Sequence, residues 1–280
     1  MLSAPLPAAD LAPVPCPTLR ESTPLDASRV RGKLQGNGEV VDFQYWRGEA
    51  AVHRPVVLLV PILAGGDELL AMVGQRLLGL GFDVAFCGRA GSALRPPQRG
   101  PELAELFRRT VLHQRLLLAW LRTHEAPPDV FVLGMSMGGM IATAVTALEP
   151  SVAGVAICIS GADLAGLLRT STETRVRRWV DWREQEDGVG QDHLEWELRE
   201  NLSYEPLALA GAVPTEKALL IGAEFDSVVP LRNQDLLWEA LGRPARLQVP
   251  FGHYTAALAI DEILATAAAH FTARRTVTNR

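Results

Sequence analysis

The sequence predicts an α/β domain built on a doubly wound, mostly parallel sheet. Short apolar runs rich in β-formers alternate with helical patterns along most of the chain, and this alternation implies parallel strands joined by right-handed crossovers. A glycine-framed serine stands where one such strand, 130–133, turns into a helix. With 280 residues, 48% of them hydrophobic, the chain is long enough to bury one large core.

The first 26 residues predict a flexible arm that precedes the domain, which we place at residues 27–280. Prolines at six positions favour an extended, poorly packed segment; they are Pro5, Pro7, Pro13, Pro15, Pro17 and Pro24. After the arm, β-type residues at 29–35 and 39–46 flank Gly36-Asn37-Gly38. Asn-Gly supplies the positive φ angles of a tight turn, so these two runs predict an antiparallel hairpin.

The remaining predicted elements follow in chain order. The strands are 56–60, 82–87, 130–133, 155–159, 217–221 and 245–249, and the helices between and after them are 69–80, 102–123, 141–148, 233–241 and 255–271. The strand at 56–60 is apolar throughout, which is typical of a strand buried on both faces.

One region interrupts the alternation of strands and helices. Helical patterns cover 164–186 and 193–201, with no predicted strand among them. Ligands of open α/β sheets bind at the carboxyl edge of the strands, so we interpret residues 164–213, hereafter the lid segment, as a small helical lid over that edge. We expect at least one of Trp179, Trp182 and Trp196 to contact the pocket; the alternative is a surface excursion whose tryptophans pack onto the core.

Composition argues against several classes of partner. The formal net charge of −5 and the pI near 5.7 disfavour nucleic acid and acidic membranes, and no apolar run is long enough for a membrane span. The N-terminus shows no secretory signal pattern. The chain has three cysteines, and Cys87 and Cys158 lie in predicted buried strands, so we expect a reduced, cytoplasmic protein. The sequence does not determine an oligomeric state.

Gly134-Met135-Ser136-Met137-Gly138 matches the G-x-S-x-G nucleophile elbow, a sharp turn between a strand and a helix. The turn holds the serine in a strained conformation, and glycines two residues before and after it prevent clashes where strand and helix nearly touch. The Ser136 hydroxyl is thereby raised above the sheet edge. The first amides of the helix, beginning with Met137, point at whatever binds there and attract negative charge.

A serine hydroxyl needs a base within hydrogen-bond reach, and that base needs an orienting group. Of six histidines, only His253 directly follows the final predicted strand, which places it at the same sheet edge as Ser136. The strand that ends at residue 221 opens into a loop with two candidate acids, Glu224 and Asp226. Because they are two residues apart, their side chains lean the same way and spacing does not separate them.

Between residues 39 and 272 the chain resembles the α/β-hydrolases, on the esterase side of that superfamily. The resemblance rests on Gly-Met-Ser-Met-Gly-Gly at 134–139, on Asp-Ser-Val-Val-Pro at 226–230 and on Gly-His-Tyr at 252–254. Tyr-Glu-Pro-Leu-Ala-Leu-Ala at 204–210 resembles the segment before the acid strand in dienelactone-hydrolase-like and acetylxylan-esterase-like members. The order serine, acid, histidine is the order of this fold.

The resemblance implies a hydrolase of a carboxylic ester or thioester, with Ser136 as nucleophile and His253 as base. It favours Asp226 as the acid, because the family carries this residue four before a proline. No metal or organic cofactor is implied, and the expected partner is a small-molecule acyl ester. An acyltransferase or a peptidase with the same triad, or a non-catalytic ligand-binding member of the fold, are alternatives.

The resemblance also locates the oxyanion hole, in which the amide of Met137 would be joined by one from the loop after residue 60. The family usually has His-Gly here, followed by the second oxyanion residue, whereas this chain has Pro61-Ile62-Leu63. Counting back without gaps from Gly81 assigns the role to Leu63, with Ile62 as the alternative. The hole uses a backbone N–H, so the altered side chains are compatible with it.

Overall fold

The computed structural model describes residues 5–48, 53–62 and 67–275. Among them, nine strands form one sheet in the order β1-β2-β3-β5-β4-β6-β7-β8-β9. The strands are β1 (Thr18–Pro24), β2 (Arg29–Gly36), β3 (Glu39–Trp46), β4 (Val56–Val60), β5 (Asp83–Cys87), β6 (Val130–Met135), β7 (Gly154–Cys158), β8 (Ala218–Ala223) and β9 (Ala245–Val249). Strands β4 to β9 pair in parallel, which confirms the predicted mostly parallel sheet.

Helices cover both faces of this sheet. They are α1 (Ala8–Leu11), α2 (Asp67–Gly79), α3 (Gly100–Trp120), α4 (Met137–Leu148), α5 (Leu164–Thr170), α6 (Thr174–Gln185), α7 (Gln191–Asn201), α8 (Pro206–Leu209), α9 (Leu231–Ala240) and α10 (Ile260–Thr272). Helices α2 and α10 share one apolar core with one face of the sheet, and α3, α4 and α9 share a second core with the other face. No helix in the described ranges has the length and apolarity that crossing a bilayer requires.

The predicted hairpin is formed by β2 and β3, which pair antiparallel along their full length. Asn37 and Gly38 occupy the turn with φ angles of 49° and 78°, as a two-residue hairpin loop requires. The next pairing, between β3 and β5, is also antiparallel. The hairpin therefore extends the edge of the parallel sheet.

The predicted boundary between arm and domain at residue 27 differs from the structure. Thr18–Pro24 forms β1, which pairs antiparallel with β2 as the edge strand of the sheet. Every residue of β1 is exposed, so its pairing rests on backbone hydrogen bonds and leaves no alternating apolar pattern in the sequence. Its proline stands at the end of an edge strand, where the missing N–H costs least.

The lid segment contains three longer helices, α5, α6 and α7, where the sequence predicts two helical patterns. The break between α5 and α6 falls at Ser171, whose backbone is extended, and at Glu173, which caps α6. The side-chain Oε2 of Glu173 accepts a hydrogen bond from the Val176 N–H at 2.7 Å. This cap satisfies one of the amides that a helix start leaves without an internal partner.

Candidate active site

Ser136 sits at the apex of the turn between β6 and α4. Its backbone has φ 53° and ψ −126°, a conformation that is costly for a residue with a side chain and persists only where the surroundings enforce it. Part of that enforcement is a hydrogen bond from the Ser136 N–H to the carbonyl oxygen of Cys158 in β7, at 2.9 Å. The parallel sheet thus holds the strained turn from the side.

The glycines around Ser136 allow backbone to pack on backbone. A Cβ added at Gly134 would lie 2.1 Å from the carbonyl oxygen of Gly138. A Cβ at Gly138 would lie 2.8 Å from the carbonyl oxygen of Val60, at the end of β4. Both separations are far below van der Waals contact, so these positions require glycine for steric reasons, as the sequence predicts.

A continuous chain of hydrogen bonds joins Ser136, His253 and Asp226. The Oγ of Ser136 lies 3.0 Å from Nε2 of His253, and Nδ1 of the same ring lies 2.7 Å from Oδ2 of Asp226. His253 follows β9 and Asp226 follows β8. The carboxyl ends of neighbouring parallel strands therefore bring together three residues that are far apart in sequence.

Asp226, and not Glu224, contacts the histidine. The Asp226 side chain is fully buried, and its Oδ1 accepts hydrogen bonds from the N–H groups of Val228 and Val229, each at 2.8 Å. Hydrogen bonds of this kind hold the carboxylate in one orientation. Glu224 is exposed to solvent, although its backbone N–H pairs with Val249.

Of the two residues predicted to donate to the oxyanion, the described part of the chain includes Met137. Met137 is the first residue of α4 and borders the cavity above Ser136, so its N–H belongs to the free amides of a helix start. Leu63 lies outside the described residues. Ile62 also borders the cavity, and its carbonyl oxygen accepts a hydrogen bond from the guanidinium of Arg89.

A cavity of about 270 Å³ opens above Ser136 and His253. Its walls are mostly apolar: Leu103, Phe107 and Met140 come from α3 and α4, whereas Leu164, Leu167 and Val176 come from the lid segment. Among the described residues that line it, the polar side chains are Ser136, Ser171, Glu173, His253 and Tyr254. The lid segment therefore covers the site through aliphatic side chains.

The prediction that a tryptophan of the lid segment contacts this cavity is wrong. Trp179, Trp182 and Trp196 are absent from the described residues that line it. Trp179 is fully buried and donates its Nε1–H to the carbonyl oxygen of Gln98 at 2.8 Å; Trp182 packs against the core, and Trp196 is half-exposed beside His193. Trp179 thus ties the segment to the domain, while smaller aliphatic residues face the pocket.

Two cavity residues, Glu173 and Tyr254, were not predicted as functional. Glu173 lies within the predicted helical pattern 164–186 and belongs to no sequence motif. Tyr254 follows His253 directly, and this adjacency was the only sequence signal that could have placed it at the site.

At the level of sequence, the similarity to curated proteins covers half of the chain. No protein-family model matches the chain. Two uncharacterised proteins from Mycobacterium tuberculosis are 30% identical over 140 residues, which is 50% of this chain and 32% of theirs. The chain thus spans about a third of the length of the curated relatives it matches.

Solved structures align over most of the chain. Acetyl xylan esterase 1 from Thermoanaerobacterium sp. is 17% identical, with a TM-score of 0.64 over 94% of this chain and 95% of that one. A cold-adapted esterase from an Arctic intertidal metagenomic library is 15% identical, with a TM-score of 0.61 over 92% and 100%. The 2,6-dihydroxy-pseudo-oxynicotine hydrolase is 20% identical, with a TM-score of 0.65 over 87% and 67%. The protein therefore has the α/β-hydrolase fold, as the sequence resemblance predicts.

Proposed function

We propose that the protein is a serine hydrolase that cleaves a carboxylic ester or thioester of a small molecule through an acyl-enzyme intermediate. The observation that carries this proposal is the chain of hydrogen bonds from Asp226 through His253 to Ser136, which borders a mostly apolar cavity. The esterases and hydrolases that share the fold support it.

In the first half of the reaction, His253 Nε2 takes the hydroxyl proton of Ser136 as Oγ attacks the acyl carbon. Asp226 Oδ2 accepts the Nδ1–H of the ring, which keeps the lone pair of Nε2 toward the serine and stabilises the imidazolium that forms. The imidazolium then protonates the leaving alcohol or thiol. In the second half, a water molecule gives a proton to His253 Nε2 as its oxygen attacks the acyl carbon. The bond from this carbon to Oγ of Ser136 then breaks, the imidazolium returns the proton to Oγ, and the carboxylic acid is released.

The negative charge of each tetrahedral intermediate needs donors that are already in place. The Met137 N–H at the start of α4 is one proposed donor, and the helix dipole adds to its effect. Leu63 is the proposed second donor. This chemistry requires neither a metal ion nor an organic cofactor.

The cavity walls favour an apolar acyl group. Aliphatic and aromatic side chains from α3, α4 and the lid segment form most of the surface, and burying each methylene of a substrate there contributes about 0.8 kcal/mol. We therefore expect kcat/KM for p-nitrophenyl esters to rise with acyl length until the cavity of about 270 Å³ is filled.

A fluorophosphonate probe tests the proposal directly, because it reacts with activated serines. Wild-type protein should be labelled at Ser136, and Ser136→Ala should lose both labelling and ester hydrolysis while keeping its thermal unfolding temperature. Ser171 borders the same cavity but has no histidine partner among the described residues, so Ser171→Ala should still be labelled. Unlabelled wild-type protein without esterase activity would instead support the non-catalytic alternative.

A further inference from the structure

Glu173 is the one carboxylate among the described residues that line the cavity. It is 9% exposed and stands in a wall that is otherwise mostly apolar. One of its oxygens, Oε2, caps α6. The other, Oε1, has no hydrogen-bond donor within the described part of the chain.

The position of Glu173 is fixed from two sides. Its N–H donates to Oγ of Ser171 at 3.3 Å. The neighbouring residue, Thr172, is bound to the loop that carries Asp226: its hydroxyl lies 2.9 Å from Oγ of Ser227, and its N–H donates to the Ser227 carbonyl oxygen at 3.3 Å. These contacts hold Glu173 beside the hydrogen-bonded triad and leave it little freedom to turn toward solvent.

Tyr254 completes the same side of the cavity. Its ring packs edge-on against His253, with centroids 5.3 Å apart, and is 65% exposed, so it stands at the mouth. Partial burial raises the pKa of Tyr254, and the charges of Glu173 and Asp226 raise it further. Tyr254 therefore lies within electrostatic reach of Glu173.

From these contacts we propose that Glu173 and Tyr254 form a subsite for a cationic leaving group, such as the alcohol part of an amino-alcohol ester. This inference rests on the proposed hydrolase function. In that reaction His253 protonates the leaving oxygen, so the leaving group lies on the histidine side, where Tyr254 stands. The face of its ring attracts a quaternary ammonium, and Glu173 supplies the opposite charge in a region of reduced dielectric.

The two residues also disfavour anions. A carboxylate carried by the leaving group would face Glu173 without a positive partner on the described cavity wall. The acyl group would meanwhile occupy the apolar side formed by α3, α4 and the lid segment. The subsite therefore specifies a substrate with an apolar acyl group and a basic alcohol.

The test compares butyrylcholine with its carbon isostere, in which a tert-butyl group replaces the trimethylammonium group. We expect wild-type kcat/KM for the cationic ester to exceed that for the isostere by about tenfold or more. Glu173→Gln keeps an oxygen that can cap α6 and should lower this ratio about fivefold or more. Tyr254→Leu should also lower it, by a smaller factor. Glu186→Gln, at the exposed C-terminal end of the same helix, removes the same charge and should retain the wild-type ratio.

Equal rates on the two esters in wild-type protein, or an unchanged ratio in Glu173→Gln, would overturn the subsite even with the hydrolase function intact. Failure of the proposed hydrolase function is recognised separately, because neither ester would then be hydrolysed. In that event calorimetric titration with butyltrimethylammonium tests the subsite by binding alone. Binding that weakens about tenfold or more in Glu173→Gln supports the subsite, and binding that is absent or independent of Glu173 refutes it.

Discussion

Replacing Asp226 by asparagine changes the tautomer of His253 with little change of shape. The two bonds that Oδ1 accepts from Val228 and Val229, each at 2.8 Å, select the orientation of the new side chain, because only its oxygen can accept them. The amide NH₂ then occupies the place of Oδ2, 2.7 Å from Nδ1 of His253. As this group only donates, Nδ1 must accept, and the ring proton moves to Nε2, where it faces Ser136.

A histidine protonated at Nε2 cannot take the serine proton. We therefore expect Asp226→Asn to lower kcat by about 10⁴-fold, the loss seen when a serine-protease triad is changed in this way. Weaker hydrogen bonds to the uncharged amide should cost about 1–3 kcal/mol of stability, so the protein should remain folded. The assay measures kcat and KM on p-nitrophenyl butyrate together with thermal unfolding.

The matched control is Glu224→Gln, two residues away on the same loop. Its side chain is exposed, so kcat should stay within about twofold of wild type. A loss below tenfold in Asp226→Asn, or a larger loss in Glu224→Gln than in Asp226→Asn, would contradict the assignment of the acid.

Three further changes test the fold around the site. Gly134→Ala should prevent stable folding because its Cβ would lie 2.1 Å from a backbone oxygen; Gly79→Ala, with open space around it, should melt no lower than wild type. Arg183→Ala should cost about 1–3 kcal/mol in urea unfolding, because it removes a buried guanidinium that binds Glu197 and leaves that carboxylate only the Gly100 N–H, whereas exposed Arg178→Ala should cost under about 0.5 kcal/mol. Burial lowers the pKa of His270 from 6.5 to about 4. The free energy of unfolding of the wild type should therefore fall, as the pH drops from 6.5 to 4, more steeply than that of His270→Gln. Parallel plots of unfolding free energy against pH for the two proteins would refute this.

The sheet could be predicted because its strands are buried on both faces. Runs such as Val56–Val60 and Gly154–Cys158 are apolar at nearly every position, and helical periodicity separates them. Edge strand β1 lacks such an apolar run. All of its side chains are exposed. Backbone pairing and surface contacts, such as that between Lys33 and Glu21, place it in the sheet, and neither leaves an apolar pattern in the sequence.

Topology predicts that Ser136, His253 and an acid of the loop after β8 meet at one edge of the sheet, whereas the choice of Asp226 over Glu224 came from the family resemblance. Each stands directly after a parallel strand, and parallel strands end at one edge of the sheet. The orientation of the lid segment depends instead on how its side chains pack against the rest of the domain. Trp179 turns toward Gln98 and the core, whereas Val176, three residues earlier, faces the cavity. The helical pattern of the sequence identifies both residues as apolar. It does not distinguish a residue that packs into the core from one that lines the cavity.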